Sequence, residues 1–234
     1  MFRIENIVKG KIIRIVSEKT LEVCDDYGKH AFAHLATIAF PPTAFPKGRG
    51  VLLTPTYDKA ESKSYNVIAL QDNEQYLTCD INTVINGVMG MIEDKFLPEL
   101  ADYEIYKTGT DLKNNIMYYY LKNSTDEIAI LSVRVCTNRK DGVAMYPLAR
   151  VDIDSILVKQ AIQSQKEGKK NYFLCFTFDN VDYFQINKAV DPELASLIQK
   201  AEDVGVETIA YTIPNSYHDN VFDLMLGKRI DFRH

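Results

Sequence analysis

Over roughly the first seventy residues, apolar and polar positions alternate in short bursts. Lys11–Val16, Leu21–Cys24, His30–His34, Gly50–Pro55 and Ser64–Leu70 are each rich in β-branched or aromatic residues, the pattern of half-buried strands. Turn chemistry separates them: Asp25-Asp26-Tyr27-Gly28 between the second and third, and Pro41-Pro42-Thr43 through Pro46-Lys47-Gly48-Arg49-Gly50 before the fourth. Five short strands so spaced predict a small Greek-key barrel of the OB type, an architecture that often binds single strands.

From about Asp72 the period changes. Ile81-Asn82-Thr83 followed by Val84, Ile85, Val88, Met89 and Ile92 predicts a helix running through Asp94. Strands are expected around Ile116–Leu121 and Glu127–Val135. A second helix is expected over Arg150–Glu167, stopped by Gly168. Tyr172–Phe178 reads as a central buried strand. Asp191-Pro192-Glu193 carries an N-cap, a proline at the first helical position and an early acid, and so opens a third helix ending at Asp203. Gly205 stops it and Val206–Ile213 supplies a further strand. The fold class is therefore α/β with an all-β N-terminal part. The expected domains are 1–72, an OB-like barrel, and 73–234, an α/β layer around a mixed sheet.

Composition narrows the setting. With 234 residues, 46% hydrophobic and 25% charged, the chain reads as an ordinary globular protein. No apolar run reaches the ~20 residues that span a bilayer, so no membrane partner is expected. The N-terminus lacks a signal-like apolar stretch, which makes a cytoplasmic location the expectation. Cys24, Cys79, Cys136 and Cys175 are scattered, with no C-x-x-C pair, and read as buried thiols rather than zinc ligands. His30 and His34 share one strand face, with no acidic or thiol partner to make a metal site. The net charge of −5 is unevenly shared. Residues 1–72 hold ten Lys and Arg against eight Asp and Glu, a balance of +2, and residues 73–234 hold 17 against 24, or −7. A phosphate-binding surface therefore belongs on the N-terminal part.

Several segments together resemble the sugar fermentation stimulation (SfsA) family. Gly168–Phe178, Asp191–Ala201 and Gly205-Val206-Glu207-Thr208-Ile209-Ala210-Tyr211 are similar to its strand, helix and closing "GVE-x-x-AY" strand. Ile81-Asn82-Thr83 is similar to its "VNT" helix entry, and Tyr146-Pro147 with Ala149 to its "FPDA". The resemblance implies an OB-like domain followed by a PD-(D/E)XK restriction-endonuclease-like domain, and an association with DNA. Its acidic "RxDF" position falls on Tyr118. Its "EVKS" strand puts Ser132 at the glutamate and Arg134 at the lysine. The helix glutamate falls on or beside Ile92, leaving Glu93 next to it. The "HCPNTG" segment matches only at His34, and the "T-x-RG-x-KH" run leaves Arg150, Asp152 and Asp154.

Tyrosine, serine and arginine cannot supply the anionic oxygens a divalent ion needs. The expectation is a non-catalytic pseudoenzyme with no metal or cofactor and with DNA or another nucleic acid as partner. Asp152 and Asp154 do not share a helix face and read as first-turn acids complementing the dipole. Asp179 and Asp182 read as turn residues. Two readings of Arg134 stand side by side: a phosphate ligand, or the partner of a neighbouring acid. For nucleic acid, the better candidates are Lys11, Arg14, Lys47 and Arg49, with Phe32 and Tyr27 as stacking faces and His34 nearby. The basic Lys228, Arg229, Arg233 and His234 read as a mobile tail. Two alternatives remain: a nuclease with relocated ligands, Glu93 and Asp152 first, or a protein-interaction module.

Overall fold

The computed structural model describes residues 1–35, 45–56, 64–111, 116–150, 152–178 and 181–234. Two compact units divide the chain, residues 1–88 with 214–225, and residues 89–213 with 226–234. The border read from the sequence after Asp72 thus lies inside the first unit. That unit keeps the next hairpin strand and takes in a ribbon from far down the chain.

In the first unit, β1 (Phe2–Ile4), β2 (Val8–Ser17), β3 (Thr20–Asp25), β4 (His30–His34), β5 (Gly50–Thr56), β6 (Ser64–Asp72) and β7 (Gln75–Thr78) precede helix α1 (Ile81–Glu93). Their ladder runs β4-β3-β2-β5-β6-β7, and β4 also pairs with β6. That last pairing is parallel, Ala33 with Tyr65 and His34 with Asn66, and closes a barrel of five strands. Strict alternation drives the closure. On β3, Leu21 and Val23 point inward and Thr20, Glu22 and Cys24 outward. With Ile12, Ala33, Val51, Leu53 and Val67 they form one buried cluster, removing the apolar face of every strand from water. Register shifts on β2 between Ile12 and Arg14, and between Ile15 and Ser17, supply the coiling a closed small barrel needs. The segments foreseen as strands are the barrel strands, to within a residue or two except for the longer start of β2.

Asp80 caps α1, its Oδ2 accepting from the Thr83 backbone N–H at 2.9 Å and the Thr83 hydroxyl at 2.7 Å. A separate ladder of three strands, β1 with the later β17 (Val221–Leu224) and β16 (Asn215–His218), shares a second buried cluster with the barrel: Ile7, Leu52, Ile68, Ala69 and Phe222.

The second unit is built on one sheet of nine strands. Its antiparallel meander is β8 (Tyr103–Asp111), β9 (Ile116–Asn123) and β10 (Ile128–Cys136). Next to it lie β13 (Lys170–Thr177) and β15 (Glu207–Thr212), parallel to β10 and to each other. The sheet is completed by β18 (Arg229–Arg233), β14 (Tyr183–Ile186), β12 (Val143–Tyr146) and β11 (Arg139–Lys140). Helices α2 (Asp152–Lys166) and α3 (Pro192–Asp203) contribute Val158, Leu194 and Ile198 to a core with Phe173, Cys175 and Phe184. Asp191 caps α3 by accepting from the Leu194 N–H at 2.9 Å. Gly205, at φ +96°, ends the connection in a conformation that other residues resist.

One expectation needs correction. The basic C-terminal segment is not a loose tail: β18 lies inside the sheet, antiparallel to β15 and parallel to β14. Along β9, Tyr119 is at 0% exposure while Tyr118 and Tyr120 are half-buried. Asp179 lies outside the described residues. The four cysteines are free thiols, and no described helix is long and apolar enough to cross a membrane.

Candidate functional site

The outward positions of β2, β3 and β4 form one continuous face. Cross-strand register aligns Lys11, Cys24 and His30 in one row, and Arg14, Glu22 and Phe32 in the next. Residues two apart on a strand stand about 7 Å from one another, so Lys9 and Lys11 make a short cationic column. Phe32 is 51% exposed in the middle of β4, and Tyr27, at the tip of the β3–β4 hairpin, is 85% exposed. His34 is exposed at the far end of the same face. Lys47 and Arg49 join from a loop pinned to β2, where Gly48 N–H donates to the Ile12 carbonyl at 2.7 Å and Ile12 N–H to the Arg49 carbonyl at 2.9 Å. Lys47 is exposed, whereas the Arg49 guanidinium donates from Nε to the Gln71 carbonyl at 2.7 Å.

The hairpin that presents Tyr27 is held from inside. Asp25 is 6% exposed. Its Oδ1 accepts from the backbone N–H groups of Tyr27 and Lys29, and its Oδ2 from the Tyr65 hydroxyl at 3.0 Å. Burial alone would raise this carboxyl. The Lys29 N–H, the Tyr65 hydroxyl and the Tyr27 N–H overcome it and hold the group below the usual aspartate range. The sequence reading missed Glu22, which sits at the centre of the face. Arg14 Nε donates to Glu22 at 2.6 Å, and the His30 ring lies at 3.4 Å. The Arg14 bond, then that of His30, draws the Glu22 carboxyl down.

The second cluster lies in the core of the other unit. Arg134 on β10 is 6% exposed, and its Nε donates to Asp154 Oδ1 at 2.7 Å, a pair whose side chains are 6% and 3% exposed. Asp154 Oδ2 accepts from the Tyr146 hydroxyl at 2.5 Å. Arg134 Nη1 donates to the Val133 carbonyl at 2.8 Å, and the guanidinium lies 5.5 Å from the Phe173 ring centroid. Burial would depress the arginine, but the Asp154 carboxylate keeps it charged; burial pushes the Tyr146 phenol well above its ordinary value. Of the two readings of Arg134, the geometry has the one with an acid as partner, and its burial keeps it away from any strand on the surface.

The other positions singled out by the family resemblance form no ligand set. Ser132 faces α2, lining a small apolar pocket with Leu157, Ala161 and Phe173. Tyr118 is the cross-strand partner of Ser132, and its ring meets Tyr120 edge to face at 5.7 Å. Ile92 is buried and Glu93 exposed at the end of α1. Asp152 is exposed, receiving a 3.0 Å bond from Arg150 Nε. Among the described residues, no group of three His, Cys, Asp or Glu could hold a metal ion. The structure therefore brings Lys11, Arg14, His34 and Lys47 onto the barrel, with Arg49 partly engaged, and leaves Arg134 out. Tyr146 stood out in the sequence only as part of the segment similar to "FPDA", because its link to Asp154 depends on where α2 lies.

Residues 83–218, more than half of the chain, match the family model described as "Sugar fermentation stimulation protein RE domain". Among curated proteins, a sugar fermentation stimulation protein homolog from Methanothermobacter thermautotrophicus is 23% identical over 219 residues, covering 93% of this chain and 90% of that protein. One from Caldanaerobacter subterraneus is 25% identical over 207 residues, covering 88% and 90%. The solved structure of Pyrococcus furiosus SfsA in complex with Ca2+ superposes with a TM-score of 0.82 at 19% identity, covering 99% of this chain and 97% of that one. The order of segments, the matched residues and the shared fold agree, and the chain belongs to the sugar fermentation stimulation protein family.

Proposed function

We propose that this protein is a non-catalytic nucleic-acid-binding protein that holds single strands on the outer face of β2, β3 and β4. The observation that carries the reading is that face itself. Lys11 and Arg14 on β2 share that face with the exposed ring of Phe32 on β4, Arg14 lying in the same cross-strand row with Glu22 between them, and cations with an aromatic ring are the combination that strand binding without sequence preference requires. The strand order β2-β3-β4-β6-β5, closed by β5 on β2, supports an OB barrel, in which this same side faces oligonucleotides. The meander β8–β9–β10, then α2 and the parallel β13, support a PD-(D/E)XK-like second unit, and the thiol cysteines support a cytoplasmic setting.

A divalent ion does not fit the positions that would have to hold it. Tyr118 and Ser132 offer neutral oxygens, Arg134 brings a positive charge, and the Asp154 carboxylate is taken by Arg134 and Tyr146. This supports a degenerate centre rather than a working nuclease. The test is incubation with labelled single-stranded and duplex DNA, with and without manganese, at low and moderate salt. The expected outcome is salt-dependent retention of the single strand without cleavage, weakened by Lys11→Ala and Arg14→Ala. Degradation abolished by Glu93→Ala would favour a nuclease with relocated ligands. No retention at ~50 mM salt, where phosphate contacts are strong, would favour a protein-interaction module.

A further inference from the structure

An open groove of about 520 Å³ lies in the first unit, where β1 and the start of α1 border the outer side of β5 and β6. Its size falls among small-ligand sites. The floor is apolar, with Ile68 at 2% exposure. The walls are polar. Thr54 and Asn66 are cross-strand partners on β5 and β6, and Asn86 stands on α1. None of these three side chains has a hydrogen-bond partner among the described residues. Each amide offers two donor hydrogens and a carbonyl acceptor, so the groove presents paired hydrogen-bonding edges above an apolar base.

Charge restricts what can enter. Arg3 is committed, donating from Nε and Nη2 to both carboxylate oxygens of Asp223 at 2.8 and 3.2 Å. Glu5 and Asp80 add two carboxylates to the lining. A phosphate would meet that negative field with no unpaired cation among the described lining residues to offset it. The ligand is therefore uncharged. A primary amide that donates and accepts side by side matches the edge of a purine, as asparagine does on adenine.

We infer that this groove binds an uncharged purine nucleoside, its base over Ile68 with its edge read by Asn66 and Asn86, and its ribose hydroxyls turned to Glu5. This site is separate from the strand-binding face and does not depend on it. The test is titration of the full chain with adenosine, AMP and ribose, followed by backbone amide shifts. Adenosine is expected to move the resonances of Thr54, Asn66 and Asn86, and AMP to bind about fivefold more weakly because of its charge. Asn66→Ala and Asn86→Ala are each expected to weaken adenosine about tenfold. Asn66→Asp keeps the shape and removes the donor, so it makes the same test should an alanine variant fail to fold. No shifts at millimolar adenosine, shifts confined to other residues, AMP binding tighter than adenosine, ribose binding as tightly, or unchanged affinity in the Asn66 variants would each overturn the site.

Discussion

Arg14 with Glu22 and Arg134 with Asp154 are the same chemical pair in two environments. The first joins neighbouring strands on the barrel surface, with side chains 63% and 21% exposed; the second lies in the core of the other unit at 6% and 3%. Water and salt screen the exposed pair, so Arg14 can exchange its carboxylate for a phosphate at little cost. The buried pair has surrendered its hydration, and Arg134 cannot leave without stranding Asp154. An arginine's availability to a ligand is thus decided by its surroundings, and a cation at a site position in the sequence can be a structural fixture in the fold.

The largest expected effect tests the buried side of that contrast. Asp154→Ala should destabilise the protein by about 3–5 kcal/mol in urea unfolding, because it leaves an unpaired guanidinium in the core. Replacing both partners with apolar residues, as in Arg134→Met with Asp154→Leu, should restore much of the loss. A single variant as stable as the parent would mean that Arg134 reaches water after all. On the exposed side, Phe32→Ala should remove about 1–3 kcal/mol of single-strand affinity, the usual value of one base stacked on an aromatic ring. Its urea midpoint should stay where it was, since the ring is half in solvent.

Acid should reveal how the barrel hairpin is held. Asp25 lies below the ordinary aspartate value despite its burial, and the Arg3 bond holds Asp223 down likewise. A depressed folded value means that the unfolded chain binds the proton more readily. Stability is then intact above about pH 4, the unfolded aspartate value, and is lost as pH falls through the folded values. The urea midpoint should drop along that limb, and Asp25→Asn should flatten it. The smallest effect is expected of Glu22→Gln. Freeing Arg14 from its carboxylate should tighten single-strand binding roughly two- to threefold at low salt, with no change in melting temperature. Weaker binding in this variant would mean that Glu22 orients Arg14 toward the strand.

How far each feature could be read along the chain follows from how local its cause is. The barrel strands and α3 were legible because their signals are neighbours in sequence: alternation on β3, the Asp25–Gly28 turn, Asp191 capping Leu194, and Gly205 at positive φ. Strands β12, β14 and β18 were not, being four or five residues long and stabilised by partners as far away as Tyr183 is from Asp231. At the site, Lys11 and Arg14 were legible as surface cations because their strand's inward positions are plainly apolar. Asp152 and Asp154 looked alike as first-turn acids, yet one is exposed and the other buried.

Sequence alone therefore determined the periodicities, the caps and turns, the closure of five short strands into a barrel, and the lack of a carboxylate at Tyr118, Ser132 and Arg134. Tertiary structure alone decided that a ribbon from residues 215–224 joins the first unit, that the basic C-terminal segment is an interior strand, and that Arg134 is bound by Asp154 and Tyr146. The physical reason is range. Backbone periodicity and capping act over a few residues. The dielectric around a charge, and the carboxylate that compensates it, depend on which distant segments the core has brought together.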